Sequence, residues 1–314
     1  MSGETQTACR LGRTDVRVSP LGVGTWAWGD TLFWDYGKQY NDQDLAAAYR
    51  ASIEAGITFF DTAEVYGLGR SEQLLGQFVR ETGREAVIAT KFMPFPWRFW
   101  PQTLLDALRA SIQRLGVDRV DLYQIHWPAH FPVSLASWMQ ALADAVALGL
   151  TRAVGVSNYS LAQMEEAWRV LADRGVPLAS NQVEYSLVCR APERTGLLQR
   201  CQELGVTLIA YSPLGMGLLT GKYTLDNPPP KARGWRFHRE RLRQVQPLQG
   251  LLREIGQQYG KTPAQVALNW VICKGALPIP GAKNARQAQE NAGALGWRLT
   301  DDEVRALEQV SPNW

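Results

Sequence analysis

Eight short apolar runs recur along the chain, at 21–24, 57–60, 87–90, 121–125, 152–156, 180–184, 206–211 and 277–280. Each is the length of one strand, and helical periodicity fills the intervals near 42–55, 71–82, 102–115, 135–148, 161–174, 193–204, 263–274 and 285–294. Runs apolar throughout suit strands buried on both faces, as in a parallel sheet. Strict alternation with no break in composition predicts one domain, residues 1–314, folded as an α/β chain into a closed (β/α)8 TIM barrel. Arg13-Thr14-Asp15 links two short extended runs, which predicts an N-terminal β-hairpin. Asn41 or Asp42 caps the first helix and Gly56 stops it. Ser160–Gln163 and Thr262–Gln265 read as capping boxes, the latter with Pro263 at the first helical position, and Thr300–Glu303 starts an extra C-terminal helix.

In such a barrel the C-terminal strand ends meet at one rim, where chemistry is done. Asp61 and Tyr66 follow the run 57–60, Lys91 follows 87–90, and His126 follows 121–125, so a carboxylate, a phenol, an amine and an imidazole are predicted to converge. The loop from Phe92 to Pro101 carries five aromatic residues among three prolines and reads as an apolar wall. The stretch from Ser212 to about Glu240 is too long for a plain connection and reads as a lid or clasp.

The remaining composition excludes several classes of function. A net charge of +3 from 33 basic and 30 acidic side chains, with no basic run, implies no nucleic-acid partner. Three scattered histidines and four distant cysteines offer no metal site and no disulfide framework, so a reducing compartment is expected. No run nears the ~18 apolar residues of a membrane span, and the first residues lack a basic-then-apolar leader. The reading is a cytoplasmic protein without a membrane partner, monomeric or a small homo-oligomer.

Several segments carry a resemblance. These are Gly22–Trp26, Phe60–Gly67, Ala89–Lys91, Asp121–Trp127, Gly155–Tyr159, Asn181–Tyr185, Ala210–Leu214, and Ile279–Gly281 through Glu290-Asn291. In this order and spacing the chain resembles the aldo-keto reductase superfamily nearly end to end, and looks closer to its bacterial and plant-type reductases and its potassium-channel β-subunits than to the mammalian aldose reductases. The resemblance implies an NADPH-dependent oxidoreductase that reduces aldehydes, and ketones as a further class, to alcohols by hydride transfer. Tyr66 would be the general acid, Lys91 its polarising ammonium, Asp61 the carboxylate holding that lysine, and His126 the group orienting the carbonyl. A bare phenol, with a pKa near 10, is too weak a donor near neutrality and needs such neighbours.

A Rossmann fingerprint is absent, so the dinucleotide must be held otherwise. The resemblance assigns the nicotinamide carboxamide to Ser157, Asn158 and Gln182, and the face of its ring to Tyr211. Thr25, Trp26, Asp61, Ser212 and Leu214 border that end. Gly215, Gly217 and Lys222 would approach the pyrophosphate. Gly281, Ala282, Lys283, Asn284 and Gln287 would meet the 2′-phosphate region at a helix start, and Glu290 and Asn291 the adenosine. Gln287 stands where much of the family has an arginine, and Gly281-Ala282 where it has a lysine-serine pair, so the margin for NADP(H) over NAD(H) is expected to rest on Lys283.

Trp26, Tyr66, Trp97, His126 and Trp127 are the expected substrate contacts, with Trp28, Phe95 and Phe131 as further candidates for the mouth. Two other functions would use the same frame. One is a nucleotide-sensing binding module of the channel β-subunit type; the other is a lyase using Lys91 as a Schiff-base amine.

Overall fold

The parallel strands close a ring because each is joined to the next by a helix that returns outside the sheet, as right-handed crossovers require. The computed structural model describes residues 8–229, 237–312 and Trp314; Met1–Thr5 and the stretch 230–236 of the expected clasp, Pro230 included, lie outside the described residues. Strands β3 (Gly22–Gly24), β4 (Phe59–Asp61), β5 (Val87–Phe92), β6 (Val120–Ile125), β7 (Thr151–Ser157), β8 (Leu178–Glu184), β9 (Thr207–Tyr211) and β10 (Leu277–Pro278) pair in chain order. A parallel bridge between Gly24 and Gly281, with the Gly24 amide donating to the Pro280 carbonyl at 3.1 Å, brings β10 back to β3. This is the (β/α)8 TIM barrel that the alternation predicts.

The first helices outside the barrel are α1 (Asp42–Glu54), α2 (Arg70–Thr82), α3 (Gln102–Leu115), α4 (Leu135–Ala147) and α5 (Leu161–Ala172). They are followed by α6 (Ala191–Arg194), α7 (Leu197–Leu204), α8 (Arg239–Tyr259), α9 (Pro263–Cys273), α10 (Ala285–Ala292) and α11 (Asp301–Val310). Asn41, Ser160, Thr262 and Thr300 each close a reciprocal capping box, satisfying amides that a helix start otherwise leaves open. Two expectations are corrected. The helix expected over 193–204 is two, parted at Gly196, whose φ of 74° is left-handed and interrupts the helix. The long segment after β9 ends in α8, a 21-residue helix carrying Pro247 that the apolar periodicity did not single out.

Two cores position the site. The larger lies between strands and helices. The smaller fills the barrel with Phe59, Ala89, Leu122, Ala153, Ile209, Leu277 and Ile279, plugged from below by Leu11, Val16 and Val18 of the N-terminal hairpin β1 (Cys9–Arg10) and β2 (Arg17–Val18). Side chains alternate across a strand, so the residue two places beyond an interior apolar one again faces inward. Asp61, Lys91, Gln124 and Tyr211 stand two places beyond Phe59, Ala89, Leu122 and Ile209. An apolar floor therefore carries a polar layer, and Lys91 pairs in register with Gln124.

Candidate active site

Asp61 ends β4 and Lys91 lies inside β5, both almost wholly buried, and their side chains form an ion pair. Lys91 Nζ also donates to the Thr62 carbonyl at 2.9 Å and to Tyr66 Oη at 3.4 Å, and sits 4.9 Å over the tyrosine ring. Its three protons are thereby directed. Burial draws the Lys91 pKa down, but Asp61 and Tyr66 more than offset it, and the ammonium is held above its ordinary range. Tyr66 opens a 3₁₀ turn, Tyr66–Gly69. Burial raises its hydroxyl, Lys91 lowers it and Asp61 raises it, with the net above the ordinary value. Burial, with Asp61, outweighs the lowering by Lys91, so Tyr66 keeps its proton as an acid must.

His126 follows β6, and its ring meets that of Tyr66 edge-on at 5.6 Å. Burial, then the Lys91 charge, holds its imidazole down to about 3, so it is neutral near pH 7 and donates from one nitrogen only. The four strand-end residues do converge. One further residue belongs with them. Gln124 Nε2 donates to Asp61 Oδ2 at 3.1 Å, beside Gln182 Nε2 at 2.8 Å. Its place inside an apolar run hid it, although its inward position two residues after Leu122 was a usable signal.

These groups open into a cavity of about 1130 Å³ that spans from Tyr66 and His126 to Glu290 and Asn291. At the near end Ser157 Oγ donates to the Gln182 carbonyl, Asn158 Nδ2 to the His126 carbonyl, and Tyr211 Oη to Asn158 Oδ1, at 2.8, 3.1 and 3.0 Å. Asn158 and Ser212 hold positive φ, 62° and 50°, a cost that clusters at functional sites. Thr25, Trp26, Leu214, Gly217, Lys222, Gly281, Lys283 and Gln287 also line the cavity. Gly215 and Ala282 are buried behind the lining, and Asn284 caps α10 by accepting from the Gln287 amide at 3.0 Å.

Lys283 Nζ donates to the Trp34 carbonyl at 3.2 Å and lies 4.6 Å over the Trp34 ring and 4.5 Å over that of Tyr40. Trp34, Asp35, Gln39 and Met216 line the cavity without having been singled out in the sequence, and Arg286 of the expected phosphate-binding helix start lines it too. They come from loops and a helix start, where sequence patterns carry little information. Beyond β9, Gln249 of α8 donates to the carbonyls of Leu218 and Tyr223 at 2.8 and 3.1 Å, which ties the segment bearing Gly217 and Lys222 to a rigid element.

The mouth is aromatic. Trp26 stacks on Phe33 with centroids 5.1 Å apart and lies 6.5 Å from Tyr66, and Trp127 lines the cavity beside His126. Trp97 is placed differently from the expected wall. It is 65% exposed, stacked on Phe95 at 4.5 Å, and outside the cavity lining, while the neighbouring Arg98 bridges to Glu64. Trp28 is core, its indole donating to the Ala282 carbonyl at 2.9 Å, and Phe131 is exposed outside the lining. No group of three or more metal-ligating side chains occurs among the described residues, and none of their helices is long and apolar enough to cross a membrane.

Amide and hydroxyl groups at one end of the cavity and three cations, Lys222, Lys283 and Arg286, at the other fit a dinucleotide's carboxamide and phosphates. Comparison with known proteins agrees. A profile of the aldo/keto reductase family matches residues 20–312, so the chain belongs to that family, which uses NADP(H). It is 45% identical over 306 residues to the chloroplastic pyridoxal reductase of Arabidopsis thaliana, covering 94% of this chain and 83% of that protein. Among solved structures, glycerol dehydrogenase from Gluconobacter oxydans superposes with a TM-score of 0.84 at 27% identity, covering 97% and 94% of the two chains. An aldo-keto reductase from Klebsiella pneumoniae in complex with NADPH gives 0.77 at 30% identity, covering 98% and 96%. The protein is an NADP-dependent oxidoreductase of this family.

Proposed function

We propose that the protein reduces aldehydes to alcohols with NADPH, Tyr66 supplying the proton. The observation that carries this reading is the directed contact of a buried, charged Lys91 with the Tyr66 hydroxyl at the cavity floor. The bound dinucleotide supplies the hydride. The chain's part is to bind and orient the carbonyl: neutral His126 donates a hydrogen bond to its oxygen, and Tyr66 Oη, polarised by Lys91, gives that oxygen its proton as charge develops there. Ser157, Asn158, Gln182 and Tyr211 would hold the nicotinamide end. Lys283, Asn284 and Gln287 would meet the 2′-phosphate region, and the stretch bearing Gly215, Gly217 and Lys222 would lie along the pyrophosphate.

A planar aromatic aldehyde such as pyridoxal is the first substrate to test, because Trp26 and Trp127 offer flat apolar surfaces on the lining and the Arabidopsis relative is named for that compound. A Schiff-base role for Lys91 is disfavoured. Its amine is fully buried and its three protons are engaged, so no free amine faces a carbonyl carbon. The test follows NADPH absorbance with pyridoxal, short aldehydes, ketones and sugars. Turnover of at least one aldehyde is expected; tight NADPH binding without turnover of any would replace the enzyme with a nucleotide-sensing module.

A further inference from the structure

The Asp61 carboxylate is buried with three side-chain donors, of which only Lys91 touches the proposed acid. Gln182 borders the cavity and therefore has a ligand to face as well. Gln124 does not border it, is fully buried, and stands one strand pair away from Lys91 in the same interior layer. Its amide orientation is set from behind: Ser180 Oγ donates to Gln124 Oε1 at 3.3 Å, which leaves Nε2 facing Asp61 Oδ2. Gly155 leaves room for this pair, since a Cβ there would come within 2.2 Å of Ser180 Oγ and 3.2 Å of Gln124 Cγ. A methionine would fill the same volume without an N–H, so packing alone does not require an amide at this position.

We propose that Gln124 is a positioning residue for the reduction: its amide holds the Asp61 carboxylate in place, so that the Lys91 ammonium paired with it stays directed at Tyr66. A hydrogen bond to the ionised carboxylate holds it in place, and without the Gln124 donor Asp61 Oδ2 loses one of its two amide partners, so the ion pair is less firmly oriented and the field of Lys91 at Tyr66 Oη weakens. No bond is made or broken at Gln124. The inference rests on the reading of Tyr66 as the acid, so Tyr66→Phe is measured alongside.

The experiment compares Gln124→Met and Gln124→Glu with the wild type in kcat against pH for an aldehyde substrate, with NADPH affinity measured by fluorescence. Gln124→Met should lose on the order of tenfold in kcat, with NADPH affinity unchanged, and the pH above which reduction fails should move upward as the phenol becomes a weaker acid. Gln124→Glu should stay near the wild type at low pH, where its protonated carboxyl still donates to Asp61, and should lose activity as pH rises and it ionises. The two profiles thus move in opposite directions, which a packing defect cannot produce. Loss independent of pH in both, or unchanged profiles in both, overturns the proposal. If Gln124→Met fails to bind NADPH, the near-isosteric glutamate variant decides by itself. An active Tyr66→Phe would instead remove the acid on which the inference stands, whatever Gln124 does.

Discussion

The two ends of the cavity are built on opposite terms. At the reacting end Asp61, Lys91, Gln124 and Gln182 sit on barrel strands, no more than 2% exposed, each charge or amide engaged by another. At the far end the cations come from a loop and a helix start, and Lys283 rests on the faces of Trp34 and Tyr40. Charge that develops during a reaction is stabilised best by dipoles already fixed in place. Charge that binds a departing cofactor must exchange partners at every turnover, and an aromatic face is a weak enough resting place, worth about 0.5–1 kcal/mol at exposed sites. Buried, mutually engaged groups mark the proposed catalytic end, and a cation laid on aromatic faces marks the proposed cofactor end.

The sharpest way to break this contrast is Tyr66→Phe. It should lower the rate of carbonyl reduction on the order of 10³-fold while leaving NADPH affinity at the wild-type level, since the hydroxyl acts in the transition state. Most of the rate surviving in a steady-state assay would end its role as acid. Lys91→Met should cost about 10²-fold in kcat. It should also destabilise the fold by about 3–5 kcal/mol, because Asp61 is left buried without its counter-ion. An unaltered urea midpoint would show the pair to be less tightly built than its geometry implies.

At the other end Lys283→Ala should weaken NADPH binding about tenfold and NADH binding far less, a charge-assisted contact discounted for leaving Trp34 and Tyr40. Equal affinities for the two cofactors in the wild type would refute the phosphate role. A further effect concerns acid stability. His126 is held down to about 3, whereas an unfolded chain takes up that proton near the ordinary 6.5. The unfolded state therefore binds more protons in this window, so the contribution is complete above about pH 6.5 and is lost as pH falls toward 3. His126→Gln should flatten the decline in unfolding free energy between those limits; an identical slope would mean the imidazole protonates in place.

Much of this was legible in the residues. Strand ends at Asp61, Lys91 and His126 follow from apolar runs, and parallel strands bring such ends to one rim. Gln124 was overlooked because it lies within its run, although alternation from Leu122 places it inward. Trp97 lies outside the cavity lining: an aromatic residue in a proline-rich loop can face either way, and here it stacks on Phe95 toward solvent. Helix α8 escaped because its Arg- and Gln-rich sequence, interrupted by Pro247, hides the buried stripe of Leu242, Val245, Leu248 and Leu252.

What the sequence by itself determined is the barrel, its N-terminal hairpin, its capped helices and the identity of the four groups at or just after strand ends. Periodicity and caps are local signals that survive without the rest of the chain. The tertiary structure alone decided how charge is shared among them: that burial and Asp61 outweigh Lys91 at the Tyr66 hydroxyl, that two glutamines hold one carboxylate, and that Lys283 rests on Trp34 from a loop 249 residues away. Desolvation and Coulomb terms depend on distances between segments far apart in the chain, and those distances exist only once the ring has closed.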